Sequence, residues 1–162
     1  MKIIVVSDTH GATDSLERVM KLNRDADVVV HCGDSRGEMD DVKMRYQDKM
    51  YYEVRGNCDL GSTLPLYLTF ELDGLKFMVT HGHAYNVKFG LEGLARAAAE
   101  EGADIVFYGH THMADDRVID GVRLLNPGAC GGWGASFAVV ETNNGQALTN
   151  ITSLRKLGKL FG

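Results

Sequence analysis

Short apolar runs that end in polar, glycine-bearing loops constrain this chain more than any other feature. Ile3–Val6 and Val28–Val30 are apolar at every position, the pattern of strands buried on both faces. Such strands need cover on each side, and helical segments alternate with them. From about Asp14, Leu16, Val19 and Met20 give one apolar stripe, with Asp14 and Glu17 spaced as a capping box. Glu38–Asp48 reads as a second helix through Met39, Val42 and Tyr46, and Tyr51–Val54 as a third strand.

The second half changes character. Leu66–Leu72 alternates, meets the turn signal Asp73-Gly74, and returns as Lys76–Thr80. Val87–Glu101 reads as a helix stopped by Gly102, and Asp104–Tyr108 as another buried strand. Arg117–Ile119 and Val122–Leu125 flank Asp120-Gly121, and Phe137–Glu141 and Gln146–Ile151 flank Asn143-Asn144-Gly145. The expectation is one α/β domain over residues 1–162, with two packed sheets and helices outside.

Polar clusters fall just beyond the predicted strands: Asp8-Thr9-His10-Gly11, Gly33-Asp34, Gly56-Asn57-Cys58-Asp59, His81-Gly82-His83 and Gly109-His110-Thr111-His112. The carboxyl ends of strands in α/β sheets are where ligands bind. Each piece alone has an ordinary explanation as a cap, a turn or a surface histidine. Five of them at five strand ends do not. Asp8, His10, Asp34, Asn57, His81, His110 and His112 offer carboxylate, imidazole and amide donors without thiolate. That set suits Mn²⁺ first, with Fe, Ni²⁺ or Zn²⁺ as alternatives and Mg²⁺ a poorer match. It is too large for one tetrahedral ion and about right for two metals sharing a carboxylate.

Composition narrows the partners. A formal net charge of −5 argues against general affinity for nucleic acid or anionic membrane. Three cysteines, Cys32, Cys58 and Cys130, form no Cys-x-x-Cys pair and read as reduced thiols. The short apolar N-terminal run is strand-like, neither a leader nor a membrane span, so a cytoplasmic setting is expected. Homo-oligomerisation stays open.

In order, Asp8-Thr9-His10, Gly33-Asp34, Gly56-Asn57, His81 and Gly109-His110-Thr111-His112 resemble the signature of the calcineurin-like metallophosphoesterases. Asn126-Pro127-Gly128 resembles a further loop of that family. The short length and the Gly-Asn-Cys-Asp variant are similar to its small prokaryotic phosphodiesterases, which also resemble the metallophosphoesterase-fold subunit of retromer. The resemblance implies a four-layer α/β/β/α sandwich of two mixed sheets flanked by helices. It also implies a ligand set: Asp8, His10 and His112 on one metal, Asn57, His81 and His110 on the other, and Asp34 bridging. A metal-bound hydroxide would then attack a small phosphodiester, with a phosphomonoesterase on the same site or an idle interaction scaffold as alternatives.

One departure stands out. Much of the family has a histidine after the Gly-Asn asparagine, as acid for the leaving group, and this chain has Cys58. The expectation for Cys58 is a small buried residue packing the loop, which leaves the general acid unassigned. His83 either faces substrate, supports a ligand or simply packs, and His31 is expected to be a satisfied core or supporting histidine. Arg55 and Arg36 lie near motif loops, where they either meet phosphate or are solvated. Trp133, in Gly131-Gly132-Trp133-Gly134, either stacks on a substrate base or joins an interface.

Overall fold

The computed structural model describes residues 1–155 and Leu157. Its elements are β1 (Lys2–Val6), α1 (Thr13–Leu22), β2 (Val28–His31), α2 (Glu38–Arg45), β3 (Met50–Glu53), β4 (Tyr67–Leu72), β5 (Leu75–Thr80), α3 (Glu92–Glu100), β6 (Ile105–Phe107), β7 (Asp115–Ile119), β8 (Val122–Asn126), β9 (Ser136–Asn143) and β10 (Gln146–Ser153). They build two mixed sheets. In the first, ordered β10-β9-β1-β2-β3, the strands β1, β2 and β3 run parallel and β9–β10 is an antiparallel hairpin. In the second, ordered β4-β5-β6-β8-β7, the strands β5, β6 and β8 run parallel, with antiparallel β4 and β7 at the edges.

Alternation along each strand sets the layers. Ile3, Val5, Val28, Val30, Phe77, Val79, Ile105, Phe107 and Leu125 form one cluster between the sheets. Ile4, Val6 and Val29 point the other way, onto Leu16, Val19 and Met20 of α1 and Met39 and Val42 of α2. Met78, Val106 and Leu124 meet Leu94, Ala95 and Ala98 of α3. The order is therefore helix, sheet, sheet, helix, the sandwich that the sequence resemblance implied.

The hairpin turns sit where the dipeptides place them. Asp73 and Gly74 have φ of 51° and 79°, Asp120 and Gly121 48° and 82°, and Asn144 and Gly145 47° and 78°. Two successive positive φ values match the right-handed twist of the flanking strands, which is why Asp-Gly and Asn-Gly recur there.

Three expectations need correction. The Asp14–Glu17 capping box does not form: α1 starts at Thr13 with no side-chain cap. Glu17 instead accepts hydrogen bonds from Tyr46 (3.0 Å) and Arg45 (3.1 Å), tying α1 to the end of α2. α2 ends at Arg45, not Asp48, because Tyr46 leaves helical geometry. α3 starts at Glu92 rather than Val87, since a 3₁₀ turn over His83–Tyr85 ends on a left-handed Asn86. Among the described residues, no helix is long and apolar enough to cross a membrane.

Candidate metal centre

All seven predicted donors lie on loops leaving the carboxyl ends of β1, β2, β3, β5 and β6. The loops hydrogen-bond to one another. The Asp8 amide donates to Gly33 O, the His10 amide to Asp34 O, and the Gly109 amide to His81 O, each at 3.0 Å. These bonds continue the strand pairing past the sheet ends and bring the side chains together.

Two donor groups overlap through Asp8, namely Asp8, His10 and His112, and Asp8, Asp34 and His81, and a third, His10, Asp34 and Cys58, spans them, with the ligand atoms of each group within 4.8 Å of one another. Asp34 Oδ2 lies 3.2 Å from His81 Nε2 and 3.6 Å from His10 Nε2, between the two groups. Asp8 Oδ1 lies 3.2 Å from His112 Nε2 and 3.7 Å from His10 Nε2. Asn57 Oδ1 is 3.1 Å from His81 Nε2, and the His110 ring centroid is 5.0 Å from that of His81. His81 is wholly buried, whereas the His112 side chain is 53% exposed, so one side of the centre is closed and the other open.

A surrounding layer aims these groups. Asp8 Oδ2 accepts from the Ser7 hydroxyl (2.6 Å) and the His110 amide (3.1 Å), which leaves Oδ1 facing the site. His81 Nδ1 is 2.7 Å from Cys32 O, a contact that requires an Nδ1 proton and turns Nε2 inward. Asn126 Nδ2 donates to Gly109 O (3.1 Å) and Thr111 Oγ1 (3.0 Å), holding the His110–His112 loop from the end of β8. Asp59 ends the Gly56-Asn57-Cys58-Asp59 cluster. Its Oδ2 accepts from the Asp34 amide (2.8 Å) and the Gly56 amide (2.7 Å), clamping two donor loops together. Side-chain contacts of this kind leave no periodic trace in sequence. The sole signal for Asp59 is its place in the Gly-Asn-Cys-Asp cluster.

His31 is a supporting histidine, as expected. Its Nδ1 accepts from the Gly33 amide (3.0 Å), so Nε2 carries the proton and donates to Thr9 Oγ1 (2.9 Å). Burial pushes its pKa below the ordinary value, against the pull of Glu53 and Glu38.

Two glycines exist for space. A Cβ on Gly56 would overlap the Asp34 carboxylate, and one on Gly109 would overlap Ser7 Oγ. The donors themselves carry strain. Asp8, His10, Asp34, His110 and His112 have φ of 53°, 44°, 61°, 69° and 61°, in the left-handed region that side chains seldom occupy.

Electrostatics separate the groups. Burial raises the Asp34 pKa, but hydrogen bonds from His81 and the Cys58 amide outweigh it and hold the carboxyl well below the usual range. Burial lowers the His81 pKa, and Asp34 and Asp8 more than reverse that. Burial first, then the neighbouring His81, lowers the pKa of both His83 and His110.

Cys58 is a correction. It is exposed at the mouth of the site, not buried in the loop, with its Sγ 3.7 Å from Asn57 Nδ2. The loop is pinned by Asp59 and by the Cys58 amide, which donates to Asp34 Oδ1 at 2.9 Å, so it needs no packed side chain. The Asp34 charge, foremost, pushes the thiol pKa up. His83 sits with its ring centroid 5.5 Å from His81 and 6.1 Å from His110, within electrostatic reach of Arg55. Arg36 passes beside Gly11, and Trp133 lies exposed beyond the open side.

Asp8 Oδ1 and His10 Nε2 are buried with no hydrogen-bond partner, though both point among the other donors. Orphaned acceptors converging at this spacing fit divalent cations.

Comparison with known proteins agrees with that geometry. The calcineurin-like phosphoesterase superfamily domain matches residues 1–145. A probable metallophosphoesterase of Bacillus subtilis, YsnB, is 33% identical over 80% of this chain and 75% of its own length. Phosphodiesterase MJ0936 of Methanocaldococcus jannaschii is 30% identical over 82% of this chain and 86% of its own. A solved Streptococcus pneumoniae protein, described as a predicted phosphoesterase, superposes with a TM-score of 0.79 at 30% identity, covering 94% of this chain and 88% of that one. Vps29 of Chaetomium thermophilum shares the fold, with a TM-score of 0.77 at 17% identity and 95% of each chain covered. The chain belongs to the calcineurin-like phosphoesterase superfamily and is a metal-dependent hydrolase of phosphoester bonds.

Proposed function

We propose that the chain hydrolyses small phosphodiesters at a two-metal centre. The observation that carries this reading is the place of Asp34, whose Oδ2 lies within 3.6 Å of imidazoles from both halves. In this assignment Asp8, His10 and His112 hold one ion, Asn57, His81 and His110 hold the other, and Asp34 is shared. The donor set favours Mn²⁺. Bound ions would supply Lewis acidity, drawing charge from a phosphate and making a water acidic enough to attack near neutral pH.

The protein's own groups do the rest. The Cys32 carbonyl holds the proton on His81 Nδ1, and Ser7 and the His110 amide hold Asp8, so the donors meet the ions in one orientation. His83, beside His81 and His110, and Arg55 near it are placed to meet phosphate oxygens. Cys58 stands at the mouth with its proton retained, a weaker acid than an imidazolium. That favours esters whose leaving group departs without much protonation. Two relatives named phosphodiesterase, MJ0936 and Escherichia coli YfcE, support the diester over the monoester. The free thiols fit a reducing, cytoplasmic setting.

The test is the rate on bis(p-nitrophenyl) phosphate against p-nitrophenyl phosphate, with Mn²⁺ titrated and metal content measured. Wild type should prefer the diester and bind two ions per chain. Asp34→Asn should lose both hydrolysis and metal from both halves. A variant that keeps two tightly bound ions contradicts the shared ligand, and a preference for the monoester contradicts the substrate class.

A further inference from the structure

We infer that the loop carrying Trp133 is a nucleobase subsite, so that one half of the diester is a nucleotide. This rests on the diester reading above and adds the identity of the ester's organic half. The open half of the metal centre is a cavity of about 400 Å³ between Asp8, His10 and His112 on one side and Gly131 and Gly132 on the other. Gly132 also borders a second cavity, of about 290 Å³, whose walls include Trp133, Arg18 and Arg155. The two cavities are thus neighbours, divided at Gly132 by a residue that has no side chain.

Trp133 is 82% exposed. The Arg155 guanidinium lies over one face of the ring, 4.2 Å from its centroid, and among the described residues the indole is otherwise open. A large aromatic backed in this way is a stacking platform, and every base has a flat π-face to set on it. Arg18 and Arg155 add positive charge beside the platform, in a chain whose net charge is −5; Asp14 also faces this cavity. An aliphatic group would gain apolar contact alone from the guanidinium-backed ring, whereas a nucleotide uses both the platform and the positive charge.

Trp133 is the only tryptophan, so intrinsic fluorescence reads this site alone. Titration with thymidine 5′-monophosphate should give saturable quenching, and ribose 5-phosphate at equal concentration none. Arg155→Ala should weaken the nucleotide's apparent affinity. Equal quenching by both, or none, overturns the proposal. So does emission that changes on dilution together with a monomer–dimer transition by sedimentation, which would make the loop an interface between copies of this chain. A ten-nucleotide single strand binding tighter than the mononucleotide by an order of magnitude or more would assign the platform to nucleic-acid ends instead of small esters.

A kinetic arm compares thymidine 5′-(p-nitrophenyl phosphate) with methyl p-nitrophenyl phosphate. The ratio of their kcat/KM values should fall about tenfold in Trp133→Ala, from the stacking contribution of one base. An unchanged ratio refutes the subsite. If wild type hydrolyses neither ester, the diester reading fails, and the quenching titration still decides the subsite by itself.

Discussion

Asp59 gives the sharpest test of how the centre is held. Its Oδ2 accepts from two amides, Asp34 at 2.8 Å and Gly56 at 2.7 Å, beside the Cys58 amide that donates across the same two loops to Asp34 Oδ1 at 2.9 Å. Asp59→Ala removes one acceptor and leaves two donors. Hydrogen bonds to a charged acceptor are worth about 1.5–3 kcal/mol each. Asp59 is half-buried, so water recovers part of that, and a net loss of about 3 kcal/mol follows. For a chain of this length that lowers Tm by roughly 6–12 °C. Freed of the clamp, Asp34 and Asn57 should also lose register with His81, and metal affinity should fall about 10- to 100-fold. Asp59→Asn retains a neutral oxygen acceptor and should lose about 1 kcal/mol. Urea unfolding of the metal-free protein and calorimetric Mn²⁺ titration measure the two effects separately. An alanine variant as stable as wild type, or one that loses stability with unchanged metal affinity, refutes the clamp.

Three further outcomes are expected. Replacing His10, at φ 44°, with glycine should leave metal-free protein about 1 kcal/mol more stable than replacing it with alanine, by urea unfolding; equal stabilities would remove the strain argument. Cys58→His should raise turnover of alkyl relative to aryl diesters, since the exposed position has room for an imidazole acid, and Cys58→Ala should barely change aryl turnover. A loss of about a hundredfold on alkyl esters alone in Cys58→Ala would make the thiol the general acid. His31 titrates below its unfolded value of about 6.5, so the unfolded chain takes up that proton first and the stabilisation present at pH 7 is lost as pH falls below that value. His31→Gln should therefore cost stability at pH 7 by a margin that narrows toward pH 5, and a constant margin would mean His31 does not set that slope.

Much of this structure is legible in the sequence because its signals are local. Val28–Val30 can only be a strand covered on both faces, and Asp-Gly and Asn-Gly occupy the two left-handed positions of each hairpin. The donor clusters are legible for the same reason, since each sits just past a strand that announces itself. What escapes is tertiary. Glu17 has the spacing of a capping residue, but a neighbouring helix offers Tyr46 and Arg45, and those bonds win. Cys58 looks like a packing residue because small sulfur side chains are usually buried. Its exposure follows from Asp59 and Asp34 pinning the backbone on either side, which no pattern along the chain encodes. The helix expected from Val87 starts late because the His81–Asn86 segment must first turn His83 back toward the centre.

The left-handed donors connect fold and chemistry most closely. A chain leaving a parallel strand would run on past the sheet and carry its side chains away from the neighbouring strand ends. A single left-handed residue reverses it within one step, which lets Asp8, Asp34 and His110 swing over the sheet edge while their amides and carbonyls bond to the next loop. Asp and His tolerate that region better than β-branched residues do, and both are metal donors, so one choice of residue meets the turn and the chemistry together. The strain is local: the bonds from Asp8 to Gly33, from His10 to Asp34 and from Gly109 to His81 hold it within each sheet, and the His110 amide on Asp8 Oδ2 and His81 Nδ1 on Cys32 O join the two sheets at their shared edge. Binding of cations by these donors would then tighten the same contacts that close the sandwich, which couples metal affinity to the stability of the whole fold.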